Sequence, residues 1–127
     1  MKIIQTTVGM MEVFCYLVYD EETREGIFID PAGDEERLFK LIEEERVRLM
    51  YIVNTHGHAD HTCGNKVVKA QTGAQVVMHA VDDDFFQGTV NKALAKMMGF
   101  ETHAPADIRV QDGEELTFGK CTMKFIH

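Results

Sequence analysis

Apolar residues come in short blocks separated by glycine, proline and acidic turns. Lys2 to Val8 reads as a first strand, closed by Gly9, and Glu12 to Tyr19 is a nearly continuous β-rich apolar run, the pattern of a buried strand. The acidic stretch 20–26 predicts a turn, and Gly26 to Asp30 a return strand stopped by Pro31. Gly33-Asp34 offers an N-cap to a helix in which Leu38, Leu41 and Ile42 share one face, reaching about Arg46. Arg48 to Val53 is apolar without alternation, as in a strand covered on both faces, and empties into Asn54-Thr55-His56. A second helix is predicted from Asp60 or His61 to about Gln71, ended by Gly73. Ala74 to His79 reads as a buried strand, and Ala80 to Phe100 as one or two short helices rich in Phe and Met. Beyond Pro105, Glu115–Phe118 and Thr122–Ile126 read as strands joined at Gly119-Lys120, the last running into His127 without a turn signal. Strands alternating with helices predict an α/β fold.

The 127 residues, about one ordinary domain by length, read as one domain or part of one, with no internal repeat and no linker. At 45% apolar and 27% charged residues the chain is too apolar for a disordered one. Thirteen Lys and Arg stand against 21 Asp and Glu, a formal charge of −8 with no basic stripe, which speaks against nucleic acid as a partner. No run of about 20 apolar residues predicts a membrane span. The N-terminus lacks the apolar core of a signal peptide, which makes the cytoplasm the expected location. Cys15, Cys63 and Cys121, an odd number without a CxxC pair, predict buried thiols in a reducing compartment rather than a disulfide framework.

The chemistry concentrates in Thr55-His56-Gly57-His58-Ala59-Asp60-His61. Three of six histidines and a carboxylate fall within six residues, and imidazole and carboxylate are the donors that zinc, iron and manganese take from proteins. The His-x-His pair sits just past a strand, where alternate residues point the same way. Asp60 and His61 then begin a helix and diverge toward a second point. The spacing suits two metal ions side by side, about 3.5–4 Å apart in sites that activate a water between them.

This segment resembles the motif of the metallo-β-lactamase superfamily, and its HxHxDH form, with His61 intact, resembles the hydroxyacylglutathione hydrolase (glyoxalase II) branch. The resemblance takes in Asp30-Pro31 at the end of the hairpin, the helix and strand before THGHADH, and the closing GEELTFGKCTMKFIH. It implies an αβ/βα sandwich of which residues 1–127 supply the first αβ half, a mixed sheet with helices on one face. It implies that His56 and His58 bind a first metal and Asp60 and His61 a second, two zinc ions with iron or manganese as alternatives. Thr55 and Asp30 would hold the loop, and Asp60 would also orient the attacking water. The implied reaction is attack of metal-bound hydroxide on a thioester, ester or amide carbonyl of a small molecule. Iron-dependent relatives offer persulfide dioxygenase or diiron oxidoreductase chemistry instead. The family continues with a second αβ half and a His-Thr-Pro-Gly-His motif. His127 matches that motif's first histidine, not its metal ligand, so the chain is expected to stop short of the remaining ligands. A third reading is therefore a non-catalytic half-fold that self-associates through a bare apolar face and an open strand edge.

Other residues read more plainly. His79 suits a hydrogen bond at a strand end and His103 a loop. Asp82-Asp83-Asp84 lacks the spaced oxygens of a calcium loop and suits the first turn of a helix. Cys63 suits a small residue on a helix. Phe85, Phe86, Met97, Met98 and Phe100 suit core packing; the resemblance, which sets this region near the site mouth, implies contact with an acyl group as the other reading.

Overall fold

The computed structural model describes residues 1–102 and 104–127, so the expectation for His103 lies outside the described residues. Six strands form one sheet in sequence order: β1 (Lys2–Val8), β2 (Val13–Tyr19), β3 (Glu25–Ile29), β4 (Arg48–Val53), β5 (Gln75–His79) and β6 (Ile108–Val110). β1, β2 and β3 pair antiparallel; β3, β4, β5 and β6 pair parallel. The parallel strands therefore all end at the same rim, and in open α/β sheets ligands collect beyond such carboxyl ends. Helices α1 (Glu35–Glu44), α2 (Ala59–Thr62), α3 (Asn65–Thr72), α4 (Ala80–Gln87) and α5 (Thr89–Met97) fill the connections, and the hairpin β7 (Glu115–Phe118) with β8 (Cys121–Lys124) closes the chain. The mixed α/β architecture matches the expectation. No helix among the described residues is long and apolar enough to cross a membrane.

Each face of the sheet buries its own cluster. Leu38 of α1 and Val68 of α3 pack with Cys15, Leu17, Phe28 and Ile52 on the helical face. On the other face Leu116 and Phe118 of β7 pack over Val18, Ile27, Val53 and Val77. The chain's own hairpin thus covers the centre of the face expected to stand bare, while Ile3 and Phe14 on the same side of β1 and β2 stay exposed. Alternating burial in β7 is what an amphipathic strand over an apolar sheet requires.

Several local expectations change. β3 stops at Ile29, and Asp30 takes a left-handed φ of 51°, a conformation open to aspartate because its short carboxylate can bond locally. Asp34 stands at the start of α1, also left-handed, but makes no capping bond; its Oδ2 accepts the Gly9 N–H at 3.0 Å instead. The helix predicted through residues 60–71 is two helices, broken at Cys63-Gly64. β6 was not foreseen, since three residues carry no readable period. β8 ends at Lys124, so His127 lies beyond the strand.

The hairpin is latched by an acidic turn. Asp20, between β2 and β3, accepts the Lys120 and Glu22 backbone N–H groups, and Glu25 Oε2 accepts that of Gly119 at 2.7 Å. Those N–H donors, Lys120 first, hold the Asp20 carboxyl below its ordinary range. A lowered folded value means the latch is at full strength above the ordinary carboxylate value and weakens as pH falls through the folded one. Asp20→Asn should therefore lose less stability than the parent when urea unfolding is compared at about pH 6 and about pH 3. Equal losses in the two proteins would refute the latch.

Candidate metal centre

Two adjacent parallel strands deliver the site. Asp30 leaves the end of β3, and Asn54, Thr55 and His56 leave the end of β4. Asp30 is buried, and donors surround its carboxylate. Oδ1 accepts the Thr55 N–H at 2.9 Å; Oδ2 accepts the Thr55 hydroxyl at 2.6 Å and lies 2.9 Å from His61 Nδ1. A carboxylate only accepts, so His61 Nδ1 carries a proton, which in the neutral ring leaves the lone pair on Nε2. The Thr55 hydroxyl proton is spent on Asp30, so at the 2.9 Å contact between Thr55 Oγ1 and His56 Nδ1 the ring donates. His56 Nε2 then also keeps its lone pair. One buried carboxylate sets the tautomer of two histidines.

Among the predicted ligands, His56 approaches both His58 and His61, and His61 approaches Asp60, while His58 and Asp60 fall in no group of three ligand atoms among the described residues. The His56 and His61 rings lie 4.1 Å apart between centroids, and the His56 and His58 rings 4.8 Å apart. His61 Nε2 faces Asp60 Oδ2 at 3.6 Å. Burial first, then the neighbouring His61, holds the His56 imidazole below its ordinary value, favouring the neutral form that binds metal. Asp30, His56 and His61 present donor atoms within 4.8 Å of one another. A second set within that distance, His79, Asp82 and His127, stands on different elements. The donor chemistry of His56 and His61 fits zinc, iron or manganese: lone pairs on Nε2, each ring held through the opposite nitrogen, with Asp30 behind them as acceptor, the arrangement that metal-binding histidines adopt.

Two buried asparagines were missed in the sequence. Asn65 Nδ2 donates to Asn54 Oδ1 at 2.6 Å, and Asn54 Nδ2 reaches the His61 carbonyl at 3.3 Å and Asp30 Oδ1 at 3.4 Å. The pair ties the start of α3 to the end of β4. Asparagine is ordinary both at a strand end and at a helix start, so neither position signals the pair. Two glycines allow the close approach. A Cβ on Gly57 would lie 2.4 Å from the Asp82 carbonyl oxygen, and one on Gly64 would lie 1.7 Å from that of Pro31.

The remaining candidates have structural partners. His79 Nδ1 accepts the Val81 N–H at 3.1 Å, capping α4, and its ring stacks on that of His127 at 3.6 Å. The three aspartates do more than face a helix N-terminus. Asp82 accepts the Gly57 N–H at 3.3 Å, Asp83 is buried and accepts the Ala106 N–H at 3.0 Å, and Asp84 pairs with Arg109 at 2.8 Å. Cys63 ends α2 and donates to the Ala32 carbonyl at 3.2 Å; burial pushes its thiol up to about 11, which leaves it unreactive. Phe86 is core, whereas Phe85, Met97 and Met98 are exposed.

The family model described as Metallo-beta-lactamase superfamily matches residues 8–126. The persulfide dioxygenase ETHE1, mitochondrial, of Homo sapiens is 33% identical over 113 residues, which is 87% of this chain and 37% of that protein. A hydroxyacylglutathione hydrolase of Pelagibacter ubique is 35% identical over 81 residues, covering 64% of this chain and 34% of that protein. The crystal structure of the BLEG-1 B3 metallo-beta-lactamase superposes with a TM-score of 0.83 at 24% identity, over 97% of this chain and 59% of that one, a likeness of fold. The chain thus spans about a third of the length of these two curated relatives.

Proposed function

Because this chain belongs to the metallo-β-lactamase superfamily, we propose that it supplies the first ligand set of a two-metal centre that hydrolyses a small thioester, ester or amide. His56 and His58 hold one ion, and Asp60 and His61 the other. Two zinc ions, or iron or manganese, would there lower the pKa of water toward neutral and polarise a carbonyl. The protein's own part is orientation. Asp30 and Thr55 keep both Nε2 lone pairs turned outward, and Asp60 positions the water. The observation that carries this reading is the Asp30–Thr55–His56 and Asp30–His61 hydrogen-bond set, which gives both rings the metal-binding tautomer. The likeness to a hydroxyacylglutathione hydrolase supports thioester chemistry. The longer match to a persulfide dioxygenase favours a second reading, oxidation of a persulfide with iron.

Elemental analysis of the purified protein, with molar mass in the same run, separates the readings. Two zinc ions per chain and cleavage of an acyl thioester of glutathione are expected. Iron with oxygen uptake on glutathione persulfide would establish the second reading, and failure to bind zinc, iron or manganese would overturn the ligand set. The open outer edge of β8, which pairs with β7 alone among the described residues, supports self-association; a monomeric mass would refute it.

A further inference from the structure

We propose that the cleft between α2 and the α4–α5 pair is an acyl pocket, so that the substrate is a thioester or ester of an apolar carboxylic acid. This rests on the hydrolytic reading above and names its substrate class.

The cleft has a volume of about 260 Å³, and His58 and Asp60 stand on one wall. A carbonyl presented to those two groups directs its substituent away from them, into the space between the helices. The floor is Phe86 and Ala95, each 1% exposed. The rest of the lining includes Phe85, Leu94 and Met98, which leave 46%, 49% and 60% of their surface in water. Large apolar side chains exposed together around a cavity mark a binding surface. Polar recognition is scarce there. The amide of Asn91 donates to the Phe85 carbonyl at 2.7 Å, and beyond the metal-side wall no charged side chain among the described residues lines the cleft. A polar substituent would lose its water without replacement, whereas an alkyl chain would cover Leu94 and Met98. Phe85 joins the two halves: its ring lies 5.7 Å from that of His58.

The test is a series of acyl thioesters of one thiol, acetyl to octanoyl, on the metal-loaded protein, together with an NMR titration of the metal-free protein with octanoate. Burial of one CH₂ is worth about 0.8 kcal/mol, so kcat/KM should rise about fourfold per methylene until the cleft is filled. Octanoate should shift the amide signals of Leu94, Ala95 and Met98. Leu94→Asp, and independently Met98→Asp, should flatten the series and remove those shifts; both positions are exposed enough for the variants to fold. Equal kcat/KM for acetyl and octanoyl thioesters would overturn the pocket while leaving the hydrolytic reading intact. Inert thioesters with octanoate still bound at Leu94 and Met98 would instead remove the hydrolytic reading, leaving the pocket as an apolar-acid site. Octanoate shifts elsewhere, or none, would overturn the pocket.

Discussion

Asp30→Asn should weaken metal binding about 10- to 100-fold in a protein that still folds. The asparagine amide can still accept the Thr55 N–H through one oxygen. Its NH₂ then replaces the oxygen that faces both the Thr55 hydroxyl and His61 Nδ1. Faced by a donor, His61 Nδ1 must accept, which moves its proton to Nε2, the nitrogen that faces Asp60. The Thr55 hydroxyl is freed to donate to His56, which flips that ring's tautomer as well. One substitution thus turns two lone pairs away from the metal. The mismatched buried donors should also cost about 1–3 kcal/mol of stability in the metal-free protein. Competition against a chromogenic chelator and urea unfolding read the two effects. Unchanged affinity would mean that Asp30 does not set the tautomers.

Gly64→Ala should destabilise the protein by about 3 kcal/mol or more, a large value for one methyl group. The cause is contact rather than backbone strain, because Gly64 has an ordinary φ of −89°. Its missing side chain lets the break between α2 and α3 rest on the loop after β3, where a Cβ would lie 1.7 Å from the Pro31 carbonyl oxygen. To admit the methyl group, the loop carrying Asp30 must part from the segment carrying His61. Metal affinity should therefore fall together with stability. An equivalent alanine at Gly73, where a Cβ meets no atom within 4 Å but φ is 74°, provides the contrast: stability falls there through φ, with the site untouched. Unfolding curves for the two variants that cannot be told apart from the parent would refute the packing account for Gly64.

The histidine–aspartate motif was legible because its residues are near neighbours in sequence and their donor types are chemically restricted. Most strands were legible because their apolar runs are bounded by Gly, Pro or acidic turns. The break at Gly64 was not, since the apolar period of the segment runs straight through it and glycine alone does not end a helix. The Asn54–Asn65 pair was equally silent: asparagine is ordinary at both a strand end and a helix start. The bare face expected of a half-fold is covered at its centre by Leu116 and Phe118, whose alternation was visible but whose target was not, and stays exposed at Ile3 and Phe14.

By itself the sequence determined the α/β alternation, the location of the histidine and carboxylate donors, and the acidic, unstriped surface. These follow from local periods and from residue chemistry, which need no partner. Tertiary structure decided which nitrogen of each histidine is free, where the loop after β3 touches the helix break, and which apolar side chains line a cleft beside His58 and Asp60. Each of those depends on residues distant in the chain meeting at the common rim of parallel strands, and no local pattern encodes that meeting.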